Sequence, residues 1–254
     1  MKYREYMLPS TLEEAWQLNQ KRSNHIIAGG MWLRLRPGAF GGAIDISGLG
    51  LDAIEETDTE FKIGSMVSLH DLERHPGINA LWGHAISEAL SPIVGVQFRN
   101  CATVGGSICG RFGFSDVMTL FMALDAQVEL YKSGRLCVKK FAETGCGRDI
   151  MTHIIVSKNG SKVTYMTQRN ARTDFPVLTC AVSENGGGRF ACIGARPMRA
   201  VRVDCPAGMD AEKFAEFASE SVVFGGNMRA SAEYRKRIAR VLVRRCCEEL
   251  GRNE

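Results

Sequence analysis

An α+β chain in two parts is the fold this sequence predicts, and three observations predict it. Short apolar runs alternate with capped helical segments as far as about residue 145. From about residue 150 the pattern changes to strand pairs joined by glycine-containing turns, and two amphipathic segments close the chain. The expected division is 1–148 and 149–254, with the first part split again near residue 52.

Each element has its own signal. Ser10-Thr11-Leu12-Glu13 reads as a capping box in which Ser10 and Glu13 satisfy each other's N–H groups, opening a helix that ends near Asn24. His25 to Ala28 is a short apolar run, and Ala43-Ile44-Asp45-Ile46 alternates as a strand. Phe61 to Val67 is another strand, after which Ser68 caps a short helix that His75-Pro76-Gly77 stops. Ala80 to Leu90 has helical spacing. Ser115-Asp116 can cap a helix over 117–124 that is apolar on most sides, and Ala126 to Leu130 alternates as a strand. Thr152 to Val156 and Lys162 to Met166 flank Asn159-Gly160, which predicts a hairpin with a tight primed turn. Phe175 to Val182 and Arg189 to Ile193 flank a second glycine-rich turn over 185–188. Asp210 to Ser221 and Ser231 to Leu250 are the closing helices.

Composition bounds the function. With 45% hydrophobic and 24% charged residues the chain is an ordinary globular protein, and its formal charge of +4 permits an anionic ligand without demanding nucleic acid. No apolar run reaches the length of a membrane span and the N-terminus lacks a signal-peptide core, so the expectation is a cytoplasmic protein with no membrane partner. The nine cysteines include no C-x-x-C pair, which argues for reduced thiols used as small hydrophobes and against an iron-sulfur cluster held by this chain. The five histidines show no ligand spacing, so no metal is expected. Arg229, Arg235, Lys236, Arg237, Arg240, Arg244 and Arg245 could form a nucleic-acid stripe. The apolar series Tyr234, Ile238, Val241, Leu242 and Cys246 beside them favours a packed amphipathic helix and no nucleic acid.

Two glycine doublets carry the chemistry: Ile26-Ile27-Ala28-Gly29-Gly30-Met31-Trp32-Leu33 and Ala102-Thr103-Val104-Gly105-Gly106-Ser107-Ile108. Neither completes the G-x-G-x-x-G spacing. Each removes two Cβ atoms, so the main chain can bring N–H donors against phosphate oxygens. The pair predicts one dinucleotide held between two loops, with amides from Gly29 to Leu33 and from Val104 to Ile108 around its diphosphate. Asp116, just beyond the second loop, suits a ribose diol or the start of the next helix.

These segments resemble the flavin-binding subunit of the molybdenum hydroxylases, the xanthine dehydrogenase and carbon monoxide dehydrogenase family. The likeness is carried by His25 to Leu35, Phe61 to Ser68, Arg99 to Ile108 and Ser115 to Ala126, with Arg172-Thr173-Asp174-Phe175-Pro176, Gly194-Ala195-Arg196-Pro197 and Tyr234 to Leu242 behind them. It implies a two-subdomain FAD-binding domain of the PCMH type followed by a C-terminal domain with an antiparallel sheet and helices. Carried over by position, the FAD contacts are Ile26, Ile27, Ala28, Gly29, Gly30, Met31, Trp32, Leu33, Ile93, Thr103, Val104, Gly105, Gly106, Ser107 and Asp116. Met31 and Trp32 stand where the family often has a small hydroxyl residue and a polar one, Ser107 where asparagine is frequent, and Met166 near a lysine used by some members. Main-chain contacts survive those changes.

The implied reaction is shared among subunits: a molybdenum-cofactor subunit hydroxylates the substrate, an iron-sulfur subunit relays electrons, and the flavin subunit passes them to NAD or another acceptor. The chain is too short to contain the molybdenum domains and has no cysteine cluster for the relay, so it is expected to be one station in a larger assembly, with no catalytic acid-base pair of its own. A flavin-free assembly module of the same fold is the alternative that Met31, Trp32 and Ser107 leave open.

Overall fold

The computed structural model describes residues 2–35, 37–186 and 188–252. Three sheets organise them. The first is parallel, in the order β1-β3-β2, from β1 (Lys2–Met7), β2 (His25–Ile27) and β3 (Ala39–Asp45), with α1 (Leu12–Gln20) crossing over. The N-cap of α1 is Thr11, whose hydroxyl accepts from the Glu14 amide at 3.1 Å, while the Glu14 carboxylate accepts from Ser10 N–H at 2.8 Å. The capping box thus lies one residue beyond the expected Ser10–Glu13 pair. The helix also stops at Gln20 rather than Asn24, because Asn24 is used elsewhere: its side chain joins Leu18 O to Gly42 N–H across the sheet.

The second part holds β4 (Ile54–Glu56), β5 (Glu60–Gly64), α2 (Leu69–Arg74), α3 (Pro76–Leu90), α4 (Val96–Cys101), α5 (Val104–Cys109), α6 (Asp116–Ala123), β6 (Gln127–Leu130), β7 (Gly134–Cys137), α7 (Val138–Thr144) and β8 (Met151–Ser157). Ser68 and Ser115 cap α2 and α6 through their hydroxyls, as the sequence leads one to expect. The strands form an antiparallel sheet in the order β4-β5-β8-β6-β7. Every residue of α6 is buried.

The third sheet, in the order β12-β11-β10-β9, comprises β9 (Lys162–Gln168), β10 (Leu178–Asn185), β11 (Gly188–Gly194) and β12 (Val201–Asp204); α8 (Ala211–Ser221) and α9 (Ala232–Arg252) cover its outer face. β8 and β9 are therefore not a hairpin. β8 pairs with β5 and β6, with Ile63 opposite Ile154 and Val128 opposite Ile154, while among the described residues β9 pairs only with β10. The Asn159-Gly160 turn carries the chain from one sheet to the other, and the five-stranded sheet runs past the 148/149 division to Ser157. The second expected hairpin forms between β10 and β11; Gly187 in its turn lies outside the described residues.

α3 and α6 lie between the second and third sheets, so the largest core cluster runs from Phe61 and Ile63 through Phe121 to Tyr165, Ala181 and Phe190. On the opposite face of the third sheet, Leu178, Cys180, Val182 and Ile193 meet Phe214, Ala239 and Cys246 of the last two helices. The cations of α9 divide. Lys236 pairs with Glu220 of α8, Arg240 with Glu212 and Glu216, and Arg244 with Glu212. Arg235, expected on the basic face, is 1% exposed. Among the described residues no helix is long and apolar enough to cross a membrane, and no group of three or more His, Cys, Asp or Glu is arranged to hold a metal.

Candidate functional site

The two glycine segments meet. Gly29 lies so close to the joint between α4 and α5 that a Cβ on it would stand 1.6 Å from the Cys101 carbonyl oxygen, and a Cβ on Gly106 would stand 3.9 Å from that of Ala28. Their chemistry differs, however. In the first segment Gly30 has φ +66°, the left-handed region that glycine favours. Among the described residues no group accepts from the amides of Gly29, Gly30, Met31 or Trp32. These N–H groups are free for a ligand.

The second segment is no loop. Thr103 caps α5, and its doublet is helical: Val104 N–H donates to Val67 O at 2.9 Å, Gly105 N–H to Ser65 O at 2.9 Å, Gly106 N–H to the Thr103 hydroxyl at 3.1 Å and Ser107 N–H to Thr103 O at 3.0 Å. Four amides expected around a diphosphate are already engaged. Gly105 is required by close packing, since a Cβ there would lie 2.5 Å from the Ser65 Cβ, and the turn conformation that motivated the expectation is absent. What α5 offers a ligand is a smooth wall.

Between the two segments lies a cavity of about 900 Å³. That is at the upper end of the ~300–1,000 Å³ found for ligand pockets. Ile26, Ala28, Gly29, Gly30, Met31, Trp32, Leu33, Thr103, Gly105, Gly106 and Ser107 line it. Ile27, opposite Asp45 in the first sheet, and the fully buried Val104 stand behind these walls.

A smaller cavity of about 120 Å³ adjoins the first and holds the remaining two candidates, Ile93 and Asp116. Trp32, Ser107, Phe112, Phe114 and Phe175 line both and form the partition. Trp32 lies 5.1, 5.2 and 5.7 Å, ring to ring, from Phe98, Phe114 and Phe175, and Phe112 stacks on Phe114 at 5.1 Å. Trp32 is thus a wall and not a plug. All three parts of the chain contribute to it, which is why sequence reading missed it; Phe112-Gly113-Phe114, aromatic at alternate positions after a glycine segment, was the one local hint.

Asp116 is 5% exposed at the first position of α6. Its Oδ1 accepts from Tyr165 Oη at 2.7 Å and from Arg169 Nη2 at 2.5 Å. Burial pushes its carboxyl up from the ordinary aspartate value, against the pull of Arg169 and Tyr165. Neither partner could be read from sequence. The Arg169 Nε, buried beside the smaller cavity, has no partner among the described residues.

The large cavity's far wall is the 146–151 segment, tied down at two points. Asn19 Nδ2 donates to Arg148 O at 2.9 Å, and Asp149 accepts from Ser133 N–H at 2.8 Å, Ser133 Oγ at 2.7 Å and Ile150 N–H at 2.8 Å. Partial burial raises the Asp149 pKa, but these donors outweigh it and hold the carboxyl below its usual value. A depressed folded pKa means stability that is complete above the unfolded value of about 3.9 and lost as pH falls through the lower folded value. Asp149→Asn is therefore expected to destabilise the fold by about 1–3 kcal/mol at about pH 6 and by less at about pH 3, read from urea midpoints at both pH values.

Residues 1–156 match the family model for the FAD binding domain in molybdopterin dehydrogenase. The uncharacterized protein YgfM of Escherichia coli (strain K12) is 24% identical over 247 residues, spanning 94% of this chain and 93% of its own. Among solved structures, quinoline 2-oxidoreductase from Pseudomonas putida 86 superposes with a TM-score of 0.86 at 19% identity, over 100% of this chain and 99% of that one. Carbon monoxide dehydrogenase from Hydrogenophaga pseudoflava, solved without the Mo-pyranopterin moiety of its cofactor, gives 0.86 at 23% identity over 98% of each. With a matched span that takes in both glycine segments, the chain belongs to the family of FAD binding domains in molybdopterin dehydrogenases.

Proposed function

We propose that the chain is the FAD-carrying electron-transfer subunit of a xanthine dehydrogenase-like molybdenum hydroxylase. In this reading an iron-sulfur subunit delivers electrons that originate at a molybdenum-cofactor subunit, and NAD or another acceptor takes them up, in the cytoplasm. The observation that carries the reading is the run of four unpartnered amides, Gly29 to Trp32, at the wall of a cavity large enough for a dinucleotide.

FAD bound there supplies reversible electron and hydride chemistry. The residues of this chain do the holding. The Gly29–Trp32 amides meet the diphosphate charge with dipoles, so no lysine is needed. Ala28 and Gly106 leave the opposing walls close and smooth, and the partition of Trp32, Phe112, Phe114 and Phe175 keeps water from one side of the ligand. The orphaned Arg169 Nε beside Asp116 offers a donor and a positive charge to a carbonyl or ring nitrogen in the smaller cavity.

Purified protein should be yellow and release FAD, not FMN, on denaturation; reconstitution with FAD should raise the melting temperature of any flavin-free fraction. Colourless protein that neither binds added FAD nor is stabilised by it, yet copurifies with an iron-sulfur polypeptide, would establish the flavin-free assembly module instead.

A further inference from the structure

Two of the nine cysteines, Cys109 and Cys146, open onto the large cavity. Cys109 ends α5 with its Sγ 3.8 Å from the Met151 Sδ, and it is solvent-accessible although protein surrounds it, as a thiol facing a cavity should be. Cys146 lines the same cavity from the 145–149 segment, near enough to Cys109 for each thiol to shift the other's titration. We propose that Cys109 and Cys146 form a redox-active thiol pair, which a hydroperoxide converts to a disulfide tying the end of α5 to the opposite cavity wall.

Three features prepare the pair. The flanking glycines Gly145 and Gly147 have φ of +71° and +58°, so the Cys146 backbone has freedom to bring its sulfur to the ~2 Å of an S–S bond. The Arg111 guanidinium packs directly on Gly145 and donates to Glu143 O at 3.0 Å, placing a fixed positive charge beside Cys146. Interaction with the neighbouring Cys109 thiol lowers the Cys146 thiol to about 7, with Arg111 assisting and burial and Asp149 opposing; the same interaction pushes Cys109 up. Cys146 is thus the attacking thiolate and Cys109 the resolving thiol.

The reaction balances without other reactants. The Cys146 thiolate attacks one peroxide oxygen, breaking the O–O bond to give a sulfenic acid and hydroxide, which takes up the proton Cys146 had released and leaves as water. The Cys109 sulfur then displaces the sulfenic hydroxyl, which leaves as a second water with the Cys109 proton. Two thiols are oxidised by two electrons and one peroxide is reduced. The step itself needs no flavin.

The test treats the purified chain with one equivalent of hydrogen peroxide and maps thiols by alkylation and peptide mass spectrometry, with the exposed Cys101 and Cys137 as internal comparators. A Cys109–Cys146 linked peptide should form first. Thiolate fraction and reduced nucleophilicity together make Cys146 about threefold faster than an ordinary thiol at neutral pH. In Cys109→Ser, dimedone should trap the sulfenic acid on Cys146. Oxidation reaching Cys101 or Cys137 before the pair, or a linked peptide joining other cysteines, overturns the proposal on the unaltered protein alone.

Discussion

Gly29→Ala is expected to abolish FAD retention and to lower the melting temperature by about 10 °C. The added Cβ would lie 1.6 Å from the Cys101 carbonyl oxygen and 2.6 Å from its carbon, both main-chain atoms with no rotamer to escape into. Overpacking a tight site costs typically 1–3 kcal/mol, and a main-chain neighbour places this one at about 3 kcal/mol, near 10 °C for a protein of this size. Because the displaced segment carries the free amides, the same strain falls on the ligand site: about 3 kcal/mol is roughly a hundredfold in affinity. Gly48→Ala is the control, since nothing lies within 4 Å of its added methyl and its φ is not positive. Wild-type FAD affinity and melting temperature in Gly29→Ala would remove the first glycine segment from the site.

Arg235→Met should produce the second large effect, on stability alone. This guanidinium is buried and donates only to neutral oxygens: Nε to Val177 O at 2.9 Å, Nη1 to Gly225 O at 2.8 Å and Ala230 O at 2.6 Å, and Nη2 to Asn227 Oδ1 at 2.7 Å. Burial, with Arg229 nearby, pulls its pKa down, which shows the strain of keeping a charge there. Removing it leaves several buried acceptors without donors, at about 1–3 kcal/mol each where they stay dry, so a loss of about 3–5 kcal/mol is expected. Urea unfolding monitored by circular dichroism reads this directly. A change under about 1 kcal/mol would mean that water replaces the guanidinium.

How much of this was legible depended on the range of the interaction. Ser68 and Ser115 are helix caps that bond within three residues, so spacing alone finds them; Thr11 was missed in favour of Ser10 because two adjacent hydroxyl residues compete for one cap. The Asn159-Gly160 signal is equally local, yet it failed. β8 has buried residues on both faces and needs a partner on each side, and β5 and β6, distant in sequence, supply them. Tertiary pairing overrides a turn preference in such a strand. The second glycine doublet failed for another reason: glycine serves tight packing as well as unusual φ, and only the Ser65 contact distinguishes the two. The Asp116–Arg169 pair and the Trp32 partition join residues from different sheets, where no spacing rule reaches.

The placement of α3 and α6 between two sheets bears on how this protein can be divided. A fragment ending near residue 156 would contain every strand of the first two sheets and the matched family region, but it would strip the cover supplied by Tyr165, Ala181 and Phe190 from two apolar helices. Such a piece would be sticky and unsuited to independent existence. The edge of the matched region is not a seam along which the folded body comes apart, and heating the intact polypeptide should melt it as a single unit.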